Sequence, residues 1–339
     1  MDAIAVIVVN WNGKALLSEC LESLKTQVYR HFSTILVDNG STDGSVDFVR
    51  EKFPEVRIIA LSENAGFSVA NNIAIRSVNS DYVALLNNDA VAHPFWLKNL
   101  VAALESTPEA GLAASKILLY EKRDAIDRAG DSYTTAGTGL LRGRGASADV
   151  YDQREWVFGA CAAAGLYRLR MLKEIGLFDE DFFLLYEDVD LSFRAQLRNY
   201  RCLYVPEAKV YHKASSSIVH DSPISVYYSH RNLEWVYLKN MPARLIRKSI
   251  IPHMIYNFAA CLYFMGTGRL VEFVRAKRDA FKGLKTMLQK RRSIQENCVV
   301  DTAVIWQLFE RERFLPRLSL RLRRDNRLWK KVGGNRLSC

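Results

Sequence analysis

The chain has 339 residues, 49% of them hydrophobic and 25% charged, a globular balance that excludes a disordered or collagen-like protein. Its net charge of +10 is unevenly placed: residues 1–238 carry 24 Lys and Arg against 30 Asp and Glu, while residues 239–339 carry 23 against 7. The basic last third has the pattern of a region that meets an anionic surface, either membrane or nucleic acid.

The first half alternates strands and helices. Apolar runs predict strands at 3–10, 33–38, 56–61 and 82–87. Between them, Leu16, Leu17, Cys20, Leu21 and Leu24 share one face of a helix over 14–27. Shorter helices are expected at 44–52 and 67–78, and Pro94 is placed to open one over 94–105. This order predicts an α/β protein with a mostly parallel, doubly wound sheet and right-handed crossovers. Residues 120–155, with Gly137, Gly139, Gly143 and Gly145, read as a long loop or irregular hairpin of the kind used as a lid. Regular structure resumes at Trp156–Ala160, with helices at 168–175 and 187–199 and two closing strands at 202–205 and 208–212.

Beyond residue 235 the style changes. Ile250 to Met265 is apolar but interrupted by Pro252, His253 and Asn257, and is short of the roughly 20 residues that span a bilayer. Arg269 to Arg292 mixes Leu, Val and Phe with Arg and Lys, which suits either a helix on a membrane interface or a bundle packed on the main domain. The expected division is 1–235 for a catalytic domain and 236–339 for a basic helical extension. The N-terminus opens on a strand without the basic flank and cleavage site of a signal peptide. Six scattered cysteines without a CxxC pair exclude a zinc ribbon and predict reduced thiols in a cytoplasmic setting.

Acids and one imidazole fall at the ends of these elements. Asp38 ends the second strand and Asp89 the fourth, where an open α/β sheet binds its ligands. Glu187, Asp188 and Asp190 open a helix after the apolar run Phe182–Tyr186, and His212 ends a strand. Together these positions point to a nucleotide–metal site with a nearby base.

The chain resembles a family 2 glycosyltransferase of the GT-A fold, and is most similar in wording to bacterial rhamnosyltransferase-like members. The resemblance rests on ordered motifs: Val8-Val9-Asn10-Trp11-Asn12-Gly13, Asp38-Asn39-Gly40-Ser41-Thr42-Asp43-Gly44-Ser45, Glu63-Asn64-Ala65-Gly66-Phe67 with Asn71-Asn72, and Asn87-Asn88-Asp89. Gly176-Leu177-Phe178-Asp179-Glu180, then Tyr186-Glu187-Asp188-Val189-Asp190 with His212, and Tyr227-Tyr228 with Arg231-Asn232 complete the set, over roughly residues 3–235. The resemblance implies that Asp38 accepts the pyrimidine N3–H, which uracil and thymine share. It implies nucleotide-sugar contacts at Asn10, Asn64, Gly66, Asn72, Asn88, Gly159 and Ala160. Asp89 matches the second acid of a DxD motif, with Asn87 replacing the first, and His212 matches a further metal ligand. Asp188 matches the general base, with Glu187 and Asp190 orienting it or binding acceptor hydroxyls.

The implied chemistry is inverting transfer from a dTDP- or UDP-sugar, dTDP-rhamnose foremost, to a glycan or polyprenyl-diphosphate-linked acceptor. Mg²⁺ or Mn²⁺ would be the cofactor, and the histidine leans toward Mn²⁺. The implied location is the inner face of the cell membrane, with the basic region against anionic lipid and no nucleic acid as partner. Two other classes are disfavoured. A dinucleotide oxidoreductase needs GxGxxG after the first strand, where the chain reads Asn10-Trp11-Asn12-Gly13-Lys14. A non-catalytic scaffold has no reason to keep Asp89, Asp188 and His212 together.

Overall fold

The computed structural model describes residues 3–214 and 221–311. In chain order its first half comprises β1 (Ile4–Asn10), α1 (Lys14–Lys25), β2 (Phe32–Asp38), α2 (Ser45–Lys52), β3 (Arg57–Ala60), α3 (Phe67–Arg76), β4 (Tyr82–Leu86), β5 (Ala90–Ala92), α4 (Trp96–Glu105) and β6 (Ala110–Leu119). There follow β7 (Ile126–Ala129), β8 (Asp131–Thr134), β9 (Gly139–Leu141), β10 (Glu155–Val157), β11 (Ala164–Arg168), α5 (Leu169–Ile175), α6 (Glu187–Leu197) and β12 (Arg201–His212). The C-terminal helices are α7 (Pro223–Asn240), α8 (Ala243–Gly266), α9 (Leu270–Lys282), α10 (Leu284–Glu296) and α11 (Thr302–Gln307), before a short β13 (Phe309–Glu310).

The main sheet runs β3-β2-β1-β4-β11-β6-β12-β10. The first four strands are parallel, in register from Ile4 opposite Phe32 to Asn10 opposite Asp38, so residues 10 and 38 emerge at one edge. β11 lies antiparallel between β4 and β6, which makes the sheet mixed. Alternation along β1 fills both faces: Ile4, Val6 and Val8 pack with Leu17, Leu21 and Trp96 on one side, and Ala5 and Ile7 with Ala70 and Ile75 on the other.

Several elements differ from the sequence reading. β6 was not anticipated, because Gly111, Ser115 and Lys116 interrupt its apolar pattern, yet nine of its ten positions are buried. Pro94 does not open α4, which begins at Trp96 after a turn closed by the Trp96 N–H on the His93 carbonyl. The two expected closing strands are one, β12, bulged between Val205 and Lys209 around Pro206, which has no N–H for a ladder. Residues 120–155 are not an open lid. They hold β7, β8 and β9, and Tyr133 is fully buried against Phe158 and Phe193.

Position 235/236 lies inside α7, and a third core cluster joins Phe182 and Phe193 to Trp235, Tyr237, Met287 and Phe309. The expected basic helix over 269–292 is two helices that meet at Gly283, where a Cβ would stand 2.7 Å from the Trp235 ring. α7 is also keyed by buried charge. Lys239 Nζ lies 2.7 Å from Asp190 and 2.5 Å from Asp179, and Asp190 is fully buried. Burial raises the Asp179 carboxyl, but Lys239 and then Lys290 outweigh it and hold the group well below the usual range. Lys239→Met would leave Asp190 to Arg194 and Asn240, and Asp179 to Lys290, and should lower the unfolding free energy by about 1.5–3 kcal/mol in urea titration.

Candidate active site

The edge formed by β1, β2 and β4 carries a chain of amides. Asn88 Nδ2 donates to Asn10 Oδ1 at 2.8 Å, and Asn10 Nδ2 donates to Asp38 Oδ1 at 3.1 Å. The Ser41 N–H donates to Asp38 Oδ2 at 2.9 Å. Each Asp38 oxygen therefore keeps acceptor capacity for one further donor. Gly13 permits the approach, since a Cβ there would come within 2.3 Å of Asn88 Nδ2.

The next three expected residues hold loops. Asn64 Oδ1 accepts from Asn39 Nδ2 at 2.9 Å and from the Gly66 N–H at 3.0 Å. Gly66, at φ +87°, lies so close to Phe183 that a Cβ would stand 2.6 Å from its ring. Asn72 accepts from the Phe178 N–H at 3.0 Å and donates to the Phe178 carbonyl and to Glu180. Its amide is spent on tying α3 to the turn at 178–180.

Asp89 and His212 come together. His212 Nε2 lies 3.1 Å from Asp89 Oδ1, and His212 Nδ1 lies 2.7 Å from Asp127 Oδ2. Asn87, the residue in place of a first acid, sets its amide 3.5 Å from the same Nε2. Asp127 is also paired with Arg144. Its position has a backbone cause. β7 pairs Arg128 with Ile117 and Ile126 with Leu118, so Asp127 is the extra residue of a β-bulge, a device that re-aims side chains beside functional sites.

On the other side of that bulge stands the second half of the site. The Asp188 carboxylate accepts from the Ala162 N–H at 3.2 Å and the Val189 N–H at 2.8 Å. Arg128 Nη1 lies 3.9 Å from Asp188 and 3.1 Å from Asp131. Oxygens of Asp188 and Asp131 and the Cys161 sulfur fall within 4.8 Å of one another. The positive charge among them is the Arg128 guanidinium, and burial pushes the Cys161 thiol well up. Burial likewise raises the Asp131 carboxyl.

Asp188 is aimed by strained backbone. Leu185 and Tyr186, at φ 66° and 71°, sit in the left-handed region just before α6, at a cost of order 1–3 kcal/mol each. Asn232 on α7 holds this turn, donating to the Leu184 carbonyl at 2.8 Å and the Leu185 carbonyl at 2.6 Å. Asp190 is not open to acceptor hydroxyls, because Arg194, Lys239 and Asn240 take up its carboxylate. Gly159 is needed for helix packing, since a Cβ would stand 2.4 Å from Ser192 Oγ on α6. Ala160 beside it is fully buried.

Glu187 is buried with Oε2 unpartnered, and burial followed by the Asp188 charge pushes its carboxyl up to about 8. In the unfolded chain such a group titrates at about 4.3. Between those values the folded state holds a proton that the unfolded chain has released, so stability falls as pH rises through the window. Glu187→Gln should remove that fall, gaining on the native protein by up to about 1.4 kcal/mol per pH unit in urea titrations at pH 5, 6.5 and 8.

The residues around a divalent cation fit. Asp89 Oδ1 is buried without a hydrogen-bond partner. If Nδ1–H of His212 is given to Asp127, the Nε2 lone pair faces that oxygen, and two acceptors 3.1 Å apart call for a positive charge between them. That spacing matches the edge of an octahedron with metal–ligand bonds of about 2.1 Å. Asp127, Arg128 and Asp131 were missed by sequence reasoning. The available signal was three charged residues within six, in Ile126-Asp127-Arg128-Ala129-Gly130-Asp131.

Comparison with known proteins bears on the family and the fold. The family model "Glycosyl transferase family 2" matches residues 5–176. The chain is 27% identical over 270 residues to the N-acetylglucosaminyl-diphospho-decaprenol L-rhamnosyltransferase of Mycobacterium tuberculosis, covering 70% of this chain and 84% of that protein. It is 27% identical over 225 residues to the O-antigen biosynthesis protein RfbC of Myxococcus xanthus, a match over 63% of this chain and only 17% of that one. Among solved structures, TarS 1–349 of S. aureus superposes with a TM-score of 0.53 at 18% identity, covering 88% of this chain and 94% of that one. The mannosyltransferase PcManGT of Pyrobaculum calidifontis, solved with GDP-Man and Mn²⁺, gives 0.54 at 18% identity, covering 87% and 83%. The mixed α/β sheet is that of the GT-A fold, and the chain belongs to glycosyl transferase family 2.

Proposed function

We propose that this glycosyltransferase is an inverting, metal-dependent enzyme of bacterial surface-glycan synthesis. Its first-choice donor is dTDP-rhamnose, and its acceptor is a lipid-linked or polysaccharide glycan. The reading rests above all on adjacent residues of one bulge: Asp127 reaches the Asp89–His212 pair, and Arg128 reaches Asp188. One short strand would thereby brace both the cation ligands and the base. The choice of donor and of acceptor is supported by the rhamnosyltransferase relative and its decaprenol-diphosphate-linked substrate.

Asp38, with Asn10 and Asn88 behind it, would receive the pyrimidine N3–H. Asp89 and His212 would hold Mn²⁺ or Mg²⁺, which when bound offsets the charge of the departing nucleoside diphosphate. Asp188 would take the proton of the acceptor hydroxyl as it attacks the anomeric carbon, and one displacement inverts the configuration. Arg128 would offset the charge on Asp188 and Asp131 so that the carboxylates coexist. Residues 1–235 would supply this chemistry, and 236–339 would bring it to the inner leaflet. Residues 312–339 of that region lie outside the described residues.

Purified protein, Mn²⁺ and a panel of dTDP-rhamnose, UDP-glucose, UDP-galactose and UDP-N-acetylhexosamines test this by hydrolysis and by transfer to a short-chain lipid-diphosphate glycan. Metal-dependent turnover of dTDP-rhamnose is expected. A UDP-sugar preference would replace the donor, and no turnover with any donor would leave a scaffold.

A further inference from the structure

A surface helix normally shows water a polar face. α8 does not. Its inward side packs Leu245, Ser249, His253, Tyr263 and Phe264 against the body. Its outward side carries Ile251, Met254, Ile255, Phe258, Leu262 and Met265, each 47–68% exposed and spaced to form one stripe. No charged residue lies between Lys248 and Arg269. The same stripe is headed, on the first turns of the helix, by exposed Arg244, Arg247 and Lys248.

Those chemistries select the occupant. An apolar stripe headed by three cations is complementary to an anionic leaflet, whose phosphates lie beside its acyl chains. A second copy is a poor match, because α8 contains no Asp or Glu to pair with those cations. Among the described residues no helix is long and apolar enough to cross a membrane, so α8 can only lie along it.

We infer that the outward stripe of α8 enters the headgroup–acyl boundary of an anionic bilayer, with Arg244, Arg247 and Lys248 on the lipid phosphates. The inference rests on the lipid-linked acceptor for its purpose and places membrane contact on α8 as the inserting element, ahead of the basic α9 and α10.

Full-length protein is floated with vesicles of phosphatidylglycerol and phosphatidylethanolamine, and with phosphatidylcholine alone. Binding to the anionic vesicles is expected. Met254→Glu with Phe258→Glu should reduce it about tenfold or more without changing the melting temperature, since both side chains are exposed. Arg247→Glu with Lys248→Glu should reduce binding to anionic vesicles alone. Native protein that fails to float, or a double-Glu variant that floats like it, overturns the inference. A dimer in light scattering that the double-Glu variant dissociates overturns it in favour of a second copy. Flotation only after removal of residues 312–339 overturns it in favour of that segment as the cover. Turnover with a water-soluble acceptor is measured on the same samples. Intact flotation without turnover would sink the transferase reading and leave the lipid surface standing.

Discussion

Asp188→Asn is expected to cut sugar transfer by about 10²–10⁴-fold, the usual worth of a positioned base. The substitution keeps the shape of the side chain, but its single amide oxygen can accept from only one of the Ala162 and Val189 N–H groups, which now meet different carboxylate oxygens, so a small loss of stability should accompany it. Nucleotide binding depends on the other edge of the site, where Asn88, Asn10 and Asp38 are joined. The expected pattern is therefore a fall in kcat with an unchanged thermal shift from dTDP or UDP plus Mn²⁺. A variant with full turnover would remove Asp188 from the mechanism. Equal loss of nucleotide binding would make it a structural residue. Arg128→Gln tests the same half from its other partner, and should lower kcat while leaving that thermal shift intact.

The second large effect concerns the cation. His212→Ala or Asp89→Asn should abolish high-affinity Mn²⁺ binding, read by electron paramagnetic resonance on the protein without donor. Asp127→Asn should weaken it about 10–100-fold, because the carboxylate that orients a ligating imidazole contributes that much. The alternative is a protonated His212 that bridges Asp89 and Asp127 as a plain ion pair. In that case Mn²⁺ binding is absent from the native protein, and dTDP stabilises it equally in EDTA. The measurement needs no turnover and so separates a metal ligand from a residue that merely holds β12 to β7.

The parallel half of the sheet was legible because β1 and β4 are uninterrupted apolar runs and β2 carries Ile35-Leu36-Val37, and they end in Asn10, Asn87-Asn88-Asp89 and Asp38. The Asp89–His212 contact was legible through the ordered motifs, although 123 positions separate the two residues. Less legible was what a side chain does once local hydrogen bonds claim it. Asn72 and Asn64 carry the right motif, yet their amides hold loops. Asp190 sits two positions from Asp188 on α6, and the helical turn between them sends it into the Lys239 pair. The bulge that places Asp127 beside Arg128 leaves no periodic trace, so residues 120–155 read as a long loop or irregular hairpin, and of the two the β8–β9 pair is a hairpin. α8 hid for a related reason. With apolar residues on both its inner and outer sides it has no amphipathic signature, and its exposed stripe emerges only when the packing is known.

The turn at Leu185–Tyr186 behaves as a loaded catch whose latch, Asn232, belongs to the helical part of the chain. Cutting the chain before α7 would remove Asn232, release the catch and let Asp188 drift, even with every motif residue up to His212 intact, and a cut at 235 would break the helix that carries it. A truncated enzyme that goes silent is therefore ambiguous between a lost membrane and a lost latch. Point changes on the outer stripe of α8, which leave Asn232 seated, discriminate between the two where deletion does not.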